Sequence, residues 1–131
     1  MIAITSLYAG LLALWFLVLS IRVIQYRGTA KINVGDGGDP TMLRRIRGHA
    51  NFAEYVPLIL LLMALLELGH ASVYVLHGLG ATLLVGRLLH GISFSFTDYW
   101  MPGRFVGVIL TFLALLVAGG LCALQGLRAL G

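Results

Sequence analysis

Uncharged apolar runs set the rhythm of this chain. Met1 to Ile21, MIAITSLYAGLLALWFLVLSI, carries no charge. A second run, YVPLILLLMALLEL, begins after Glu54. A third, about Ala71 to Phe96, is apolar except for His77, Arg87 and His90, and a fourth runs uncharged from about Phe105 to Leu127. A bilayer core about 30 Å thick is crossed by about 20 apolar helical residues. The pattern therefore predicts an all-α, integral membrane four-helix bundle, a single domain over residues 1–131, with helices at about 2–26, 41–68, 71–96 and 105–127. The first run lacks the positive start of a cleavable signal peptide and outlasts its apolar core, so it is expected to be retained.

Turn chemistry punctuates the runs. The long first connection, 27–40, holds the GDGGDP cluster. Pro40 and Thr41 then open the second helix, proline suiting a first turn and threonine an N-cap. Pro57 would kink that helix or mark a local rearrangement, and Gly69 and His70 mark its stop. SFTDYWMPGR, residues 95–104, is a short connection whose Tyr99 and Trp100 suit the headgroup zone. Gly119 and Gly120 would allow close helix contact in the fourth helix.

Composition agrees with a membrane setting. The chain is 60% hydrophobic and 11% charged, with a mean hydropathy of +0.97; a soluble domain carries roughly 25% charged residues. The net charge of +4 would suit nucleic acid in a soluble protein, but here the basic residues flank apolar segments and no nucleic-acid partner is expected. Arg22, Arg27, Lys31, Arg44, Arg45, Arg47, Arg87 and Arg104 belong to the side of the first and third connections, and only Arg128 to the side of the termini. Positive charge stays inside, so the first loop is expected in the cytoplasm and both termini outside.

The polar residues within the helices carry the functional signal. At 100° per residue, Arg47, Asn51 and Glu54 share one helix face, with Tyr55 beside it and His49 on the far side. Arg87, His90 and Phe94 likewise cluster on the third helix, in its cytoplasmic half. Two helices thus bring polar groups to one level. The bland alternative is a headgroup layer, which suits Arg44 and Arg45, or a structural ion pair between Arg87 and Glu54. A glutamate entering YVPLILLL would be costly facing lipid, and an intramembrane arginine is a functional candidate by default. Arginine forks bind carboxylates, and a nearby arginine favours a bound thiol's nucleophilic thiolate. The layer therefore suits an anionic, hydrophilic molecule meeting a greasy one.

Other chemistries find little support. The lone Cys122 is expected as a packed or lipid-facing side chain. The four histidines differ in depth, and His77 and His90 lie about 20 Å apart along one helix, so no metal is expected. Glu67 reads as a snorkelling or capped carboxylate. GDGGD lacks the lysine–serine of a P-loop.

These residues resemble the MAPEG family, the membrane-associated proteins in eicosanoid and glutathione metabolism. The resemblance spans nearly the whole chain and rests on VIQYR, GDGGDP, the RxxxNxxEYxP element from Arg47 to Pro57, and GRLLHG from Gly86 to Gly91. GDGGDP resembles the bacterial members. The family implies a homotrimer with sites between subunits and glutathione as co-substrate. By matching positions, Arg47, Asn51, Glu54 and Tyr55 would hold the tripeptide's charged ends and amides. His90 and Arg87 would border it, Arg27 would reach it, and Arg104, just before the fourth helix, would stabilise the thiolate. Phe94 stands where several glutathione-using members have a tyrosine. The resemblance implies a membrane glutathione transferase or peroxidase acting on hydrophobic electrophiles, in a bacterial inner membrane. Its rival is a catalytically silent protein of the same fold that binds glutathione, another small anion or a lipid. A small multidrug transporter would need a glutamate in the first helix, which is uncharged through Ile21.

Overall fold

Four helices account for most of the chain in the computed structural model, which describes residues 1–131. They are α1 (Ala3–Ala30), α2 (Pro40–Leu68), α3 (Val73–Ser95) and α4 (Met101–Leu130), with no strand. Each is long and apolar enough to cross a membrane, as the hydropathy pattern predicted.

The boundaries differ where turn chemistry competes with hydropathy. α1 outlasts its expected end by a turn, until Lys31 adopts the left-handed conformation (φ 57°) and donates its N–H to the Arg27 carbonyl. Asp39, rather than Thr41, caps α2. Its Oδ1 accepts from the N–H groups of Thr41 (2.8 Å) and Met42 (2.9 Å), and its Oδ2 from the Tyr26 hydroxyl (3.0 Å). These bonds, the one from Met42 above all, hold the Asp39 carboxyl below the ordinary aspartate range, and they tie the start of α2 to α1. α4 starts at Met101 with Pro102 in its first turn, where a missing N–H costs nothing. Arg104 therefore lies inside α4, not ahead of it. α2 is continuous through Pro57.

Packing is sequential at the edges and dense in the middle. α3 and α4 share the most extensive contact, α2 touches all three other helices, and α1 and α4 do not meet. One core cluster joins Leu12, Leu19, Phe52, Val56, Ile59, Leu83 and Ala114; a second joins Tyr8, Met63, Leu66, Leu76, Leu79 and Ala118. Glu67 is a capped carboxylate, and what it caps is α1: it accepts the N–H groups of Ile4 and Thr5, both at 2.8 Å. Cys122 is half-buried, its Sγ 3.3 Å from the Leu62 carbonyl.

Close helix contact falls at Gly86 and Gly107 rather than at Gly119 and Gly120, which meet nothing within 4 Å. A Cβ on Gly107 would lie 2.7 Å from the Gly86 carbonyl oxygen and 2.8 Å from the His90 backbone nitrogen. Backbone cannot yield as a flexible side chain does, and overpacking of this kind costs about 1–3 kcal/mol. Gly107→Ala is therefore expected to lower the melting temperature of the detergent-solubilised protein, whereas Gly119→Ala leaves it unchanged or slightly raised. Equal melting of the two variants would contradict this account of the crossing.

One face of α2 remains bare. Arg47, Glu54, Leu58, Leu61, Leu65 and Leu68 are all exposed, with half-buried Asn51 completing alternating steps of four and three. That is a heptad seam, the pattern by which helices pack against other helices.

Candidate functional site

Arg87 is the centre of the polar layer. It is fully buried, and its neighbour His90 is 2% exposed. One guanidinium nitrogen, Nη1, donates to Asn51 Oδ1 at 2.9 Å and lies 3.5 Å from Thr111 Oγ1. Nη2 lies 3.3 Å from His90 Nδ1, while Nε has no partner. The Phe52 ring lies 5.6 Å from the guanidinium carbon. No carboxylate pairs with Arg87. The anticipated alternative, an Arg87–Glu54 ion pair, is not formed: Glu54 instead faces Arg47 at 3.7 Å on the exposed side of α2, with side chains 49% and 54% exposed. A buried charge ordinarily demands an opposite charge or full hydrogen bonding, and within one copy Arg87 has neither.

The expected residues divide into groups. Asn51, Arg87 and His90 are brought into one network. Tyr55 is next to it, lining with Asn51, Arg87, Val108, Thr111 and Phe112 a crevice of about 30 Å³, room for one water. Arg104 stands apart, over the Phe94 ring at 5.4 Å and 3.4 Å from the Tyr99 hydroxyl. Phe94 stacks in turn on His90, with ring centres 4.5 Å apart. Arg104 shares a second crevice of about 50 Å³ with Arg44, Ser93, Phe94 and Tyr99. A third cavity, about 270 Å³, is lined by Met101, Arg104, Phe105 and Val108. It shares Arg104 with one crevice and Val108 with the other, and is a surface groove along the start of α4, lined by that helix alone. Arg27 is not part of the layer; its guanidinium donates to the carbonyls of Gly35 (2.9 Å) and Ile32 (3.4 Å), closing the first loop.

Three further contributors escaped the sequence reading. Thr111 supports Arg87 while donating to the Gly107 carbonyl at 2.8 Å. As one of few polar residues in the fourth helix, it left a signal. Trp15 on α1 donates its indole N–H to the Arg87 carbonyl at 3.0 Å; an apolar helix gave no hint of that. Arg44 lies in the Arg104 crevice and reaches Asp98 only at 4.0 Å. Arg45, expected only to sit in the headgroup layer, makes specific contacts instead, donating to the Arg22 carbonyl at 2.9 Å and lying 4.6 Å above the Tyr26 ring.

Four apolar helices enclosing a cationic, hydrogen-bonding layer define an integral membrane protein with an intramembrane polar site. The chain belongs to the MAPEG family, whose profile matches residues 5–124. It is similar to the inner membrane protein YecN of Escherichia coli K12, with 36% identity over 91 residues, 70% of each chain. The YecN of Escherichia coli O6:H1 matches to the same extent. No solved structure matches.

Proposed function

We propose that the protein is a homotrimeric inner-membrane glutathione transferase that activates the thiol for attack on lipophilic electrophiles. The observation that carries this reading is Arg87: a fully buried guanidinium with an unpaired Nε and no carboxylate partner. An anionic ligand supplies the missing charge. Asn51, Tyr55 and His90 surround that position, and Arg47 and Glu54, oppositely charged on one exposed face, suit the ammonium and carboxylate ends of a peptide. Ligand sites span roughly 300–1,000 Å³, more than any one crevice of this layer provides. The exposed heptad seam of α2 is suited to a second and third copy, and an adjoining copy bringing its Arg27 would complete the site.

Arg104 would stabilise the thiolate by favouring its charge. The thiolate forms a carbon–sulfur bond at an electrophilic carbon arriving from the bilayer, and the leaving group departs with the displaced electron pair. With a lipid hydroperoxide, two glutathiones become the disulfide while the hydroperoxide becomes alcohol and water. With positive charge inside, the arginine distribution supports a layer that faces the cytoplasm, where a water-soluble thiol has access, and both termini outside. No metal is required.

Phe94 favours a second reading, a protein that binds glutathione or another small anion or lipid without chemistry, because a phenol at that position could have donated to the thiolate. Calorimetry on detergent-purified protein separates the two. Saturable glutathione binding is expected, weakened at least tenfold (about 1.4 kcal/mol) in both Arg47→Ala and Glu54→Ala, with conjugation of a chloronitrobenzene by the wild type. Binding without conjugation or peroxide reduction across several electrophiles would favour the silent protein; no binding at millimolar glutathione would refute both glutathione readings.

A further inference from the structure

The other end of the bundle carries a second feature, independent of the glutathione site. Where the α2–α3 turn meets the last turns of α4, a cavity of about 460 Å³ is lined on its polar side by His70, Ser72, Gln125 and Arg128, and on its apolar side by Leu121 and Leu124 among others. Arg128 is the one lysine or arginine at this end of the chain's topology, and it makes no ion pair. The Ser72 hydroxyl, at the N-cap of α3, makes no capping bond. Gln125 is held in place by its amide, which donates to the Leu65 carbonyl at 3.2 Å.

A second cavity, about 290 Å³, adjoins the first at Val75, which lines both, and lies between α3 and α4 against Gly78, Leu79, Thr82, Leu113 and Val117. Gly78 has nothing within 4 Å of where a Cβ would stand, so the groove is open at that point. It also lies on the face of α4 opposite to Val108, Thr111 and Phe112, which meet the polar layer. A second copy seated on the α2 seam would leave it free.

We infer that these two adjoining cavities together bind an anionic phospholipid, its phosphate at Arg128 and His70 and one acyl chain between α3 and α4. Depth and chemistry run in parallel: a cation and hydrogen-bond donors at the membrane surface, then an apolar trough into the hydrocarbon. That is the order of groups along a lipid, and along no soluble anion. A guanidinium holds phosphate oxygens by two parallel bonds, and the wall glycine makes room for methylenes.

Native mass spectrometry of the detergent-released oligomer tests this with phosphatidylglycerol, phosphatidylcholine and glycerol phosphate as separate probes. Phosphatidylglycerol is expected to remain bound at one per protomer. Its occupancy should fall about fivefold in Arg128→Gln, the equivalent of about 1 kcal/mol for one basic residue at a lipid surface. Gly78→Leu, whose Cβ would meet nothing within 4 Å, adds bulk to the trough and should lower it as well. The same spectra report whether each variant keeps its assembly, and Arg128→Gln stands as a test even if Gly78→Leu fails to fold. Equal retention of phosphatidylcholine, unaffected by Arg128→Gln, would mean ordinary annular lipid and overturn the inference. Glycerol phosphate binding that is indifferent to Gly78→Leu would mean a small-anion site and overturn it too. A disulfide between two copies carrying Gly78→Cys would place protein in the groove, with the same consequence.

Discussion

Arg87→Met is expected to abolish glutathione binding while leaving the bundle folded. The argument turns on the absence of a carboxylate. Arg87 is out of water, donating to Asn51 and Thr111 and lying beside His90 Nδ1, with its Nε unpaired. Its charge is thus opposed by no ion in the unliganded copy, so Arg87→Met leaves no buried counter-charge behind, the situation that makes loss of one ion-pair partner costly. Thr111 keeps its bond to Gly107, and Asn51 borders a crevice that has room for a water. Stability is therefore expected to fall by no more than about 1–3 kcal/mol, the cost of one buried acceptor losing its donor. Binding behaves differently. Removing the charge that opposes a buried anion costs about 2–5 kcal/mol, so affinity should fall at least about thirtyfold. Thermal melting followed by circular dichroism, beside calorimetry on the same preparation, reads both quantities. Wild-type affinity in Arg87→Met would make Arg87 a structural donor only. An unfolded variant would make its hydrogen bonds, rather than a ligand, the reason it is there.

Much of this was legible in the sequence, and the parts that were not share a physical cause. Four long apolar runs in a chain with so few charges leave little choice but four membrane helices. Helical spacing together with helix direction put the Arg47–Asn51–Glu54 face at the level of Arg87 and His90, and of that face Asn51 is the residue that meets Arg87. The errors lie at surfaces, where the polar–apolar contrast is weak. Pro102 and the aromatic Tyr99–Trp100 pair read as a connection, yet a proline is welcome in a first helical turn, and α4 takes in Arg104. Thr41 looked like the cap because of its residue type, but an aspartate one proline earlier accepts the N–H of Thr41 itself and that of Met42, with a charge. Glu54 looked like the counter-ion of Arg87 because both sit at one depth. Depth does not fix azimuth, and Glu54 points outward to Arg47. Trp15 could not have been found at all: an indole N–H seeking a carbonyl on another helix leaves no mark on local periodicity. The close α3–α4 approach was foreseen in kind but misplaced, since a glycine pair in sequence matters less than two single glycines that face one another.

Arg104→Ala is expected to lower kcat/KM for glutathione conjugation about a hundredfold, and to move the pH–rate profile toward alkaline pH. A single donor aimed at developing or bound negative charge contributes about 10²–10³ in rate. Arg104 is well placed to supply one: it is exposed to the groove at the start of α4, held over the Phe94 ring, and lightly committed to Tyr99 at 3.4 Å. The sign of the pH effect follows from charge. A cation beside a thiol favours the thiolate and lowers its pKa; its removal lets the pKa rise, so a smaller fraction is ionised at neutral pH and activity recovers as pH increases. Arg104→Lys keeps the charge but not the planar fork and should fall between the two. A purely structural role would lower the rate without displacing the profile, and that outcome would remove Arg104 from the chemistry. Phe94→Tyr supplies the complementary gain. Its phenol would project from a ring already stacked between His90 and Arg104. If the missing hydroxyl is what limits thiol activation, the variant should be faster than the wild type at neutral pH, with its profile displaced the opposite way from that of Arg104→Ala.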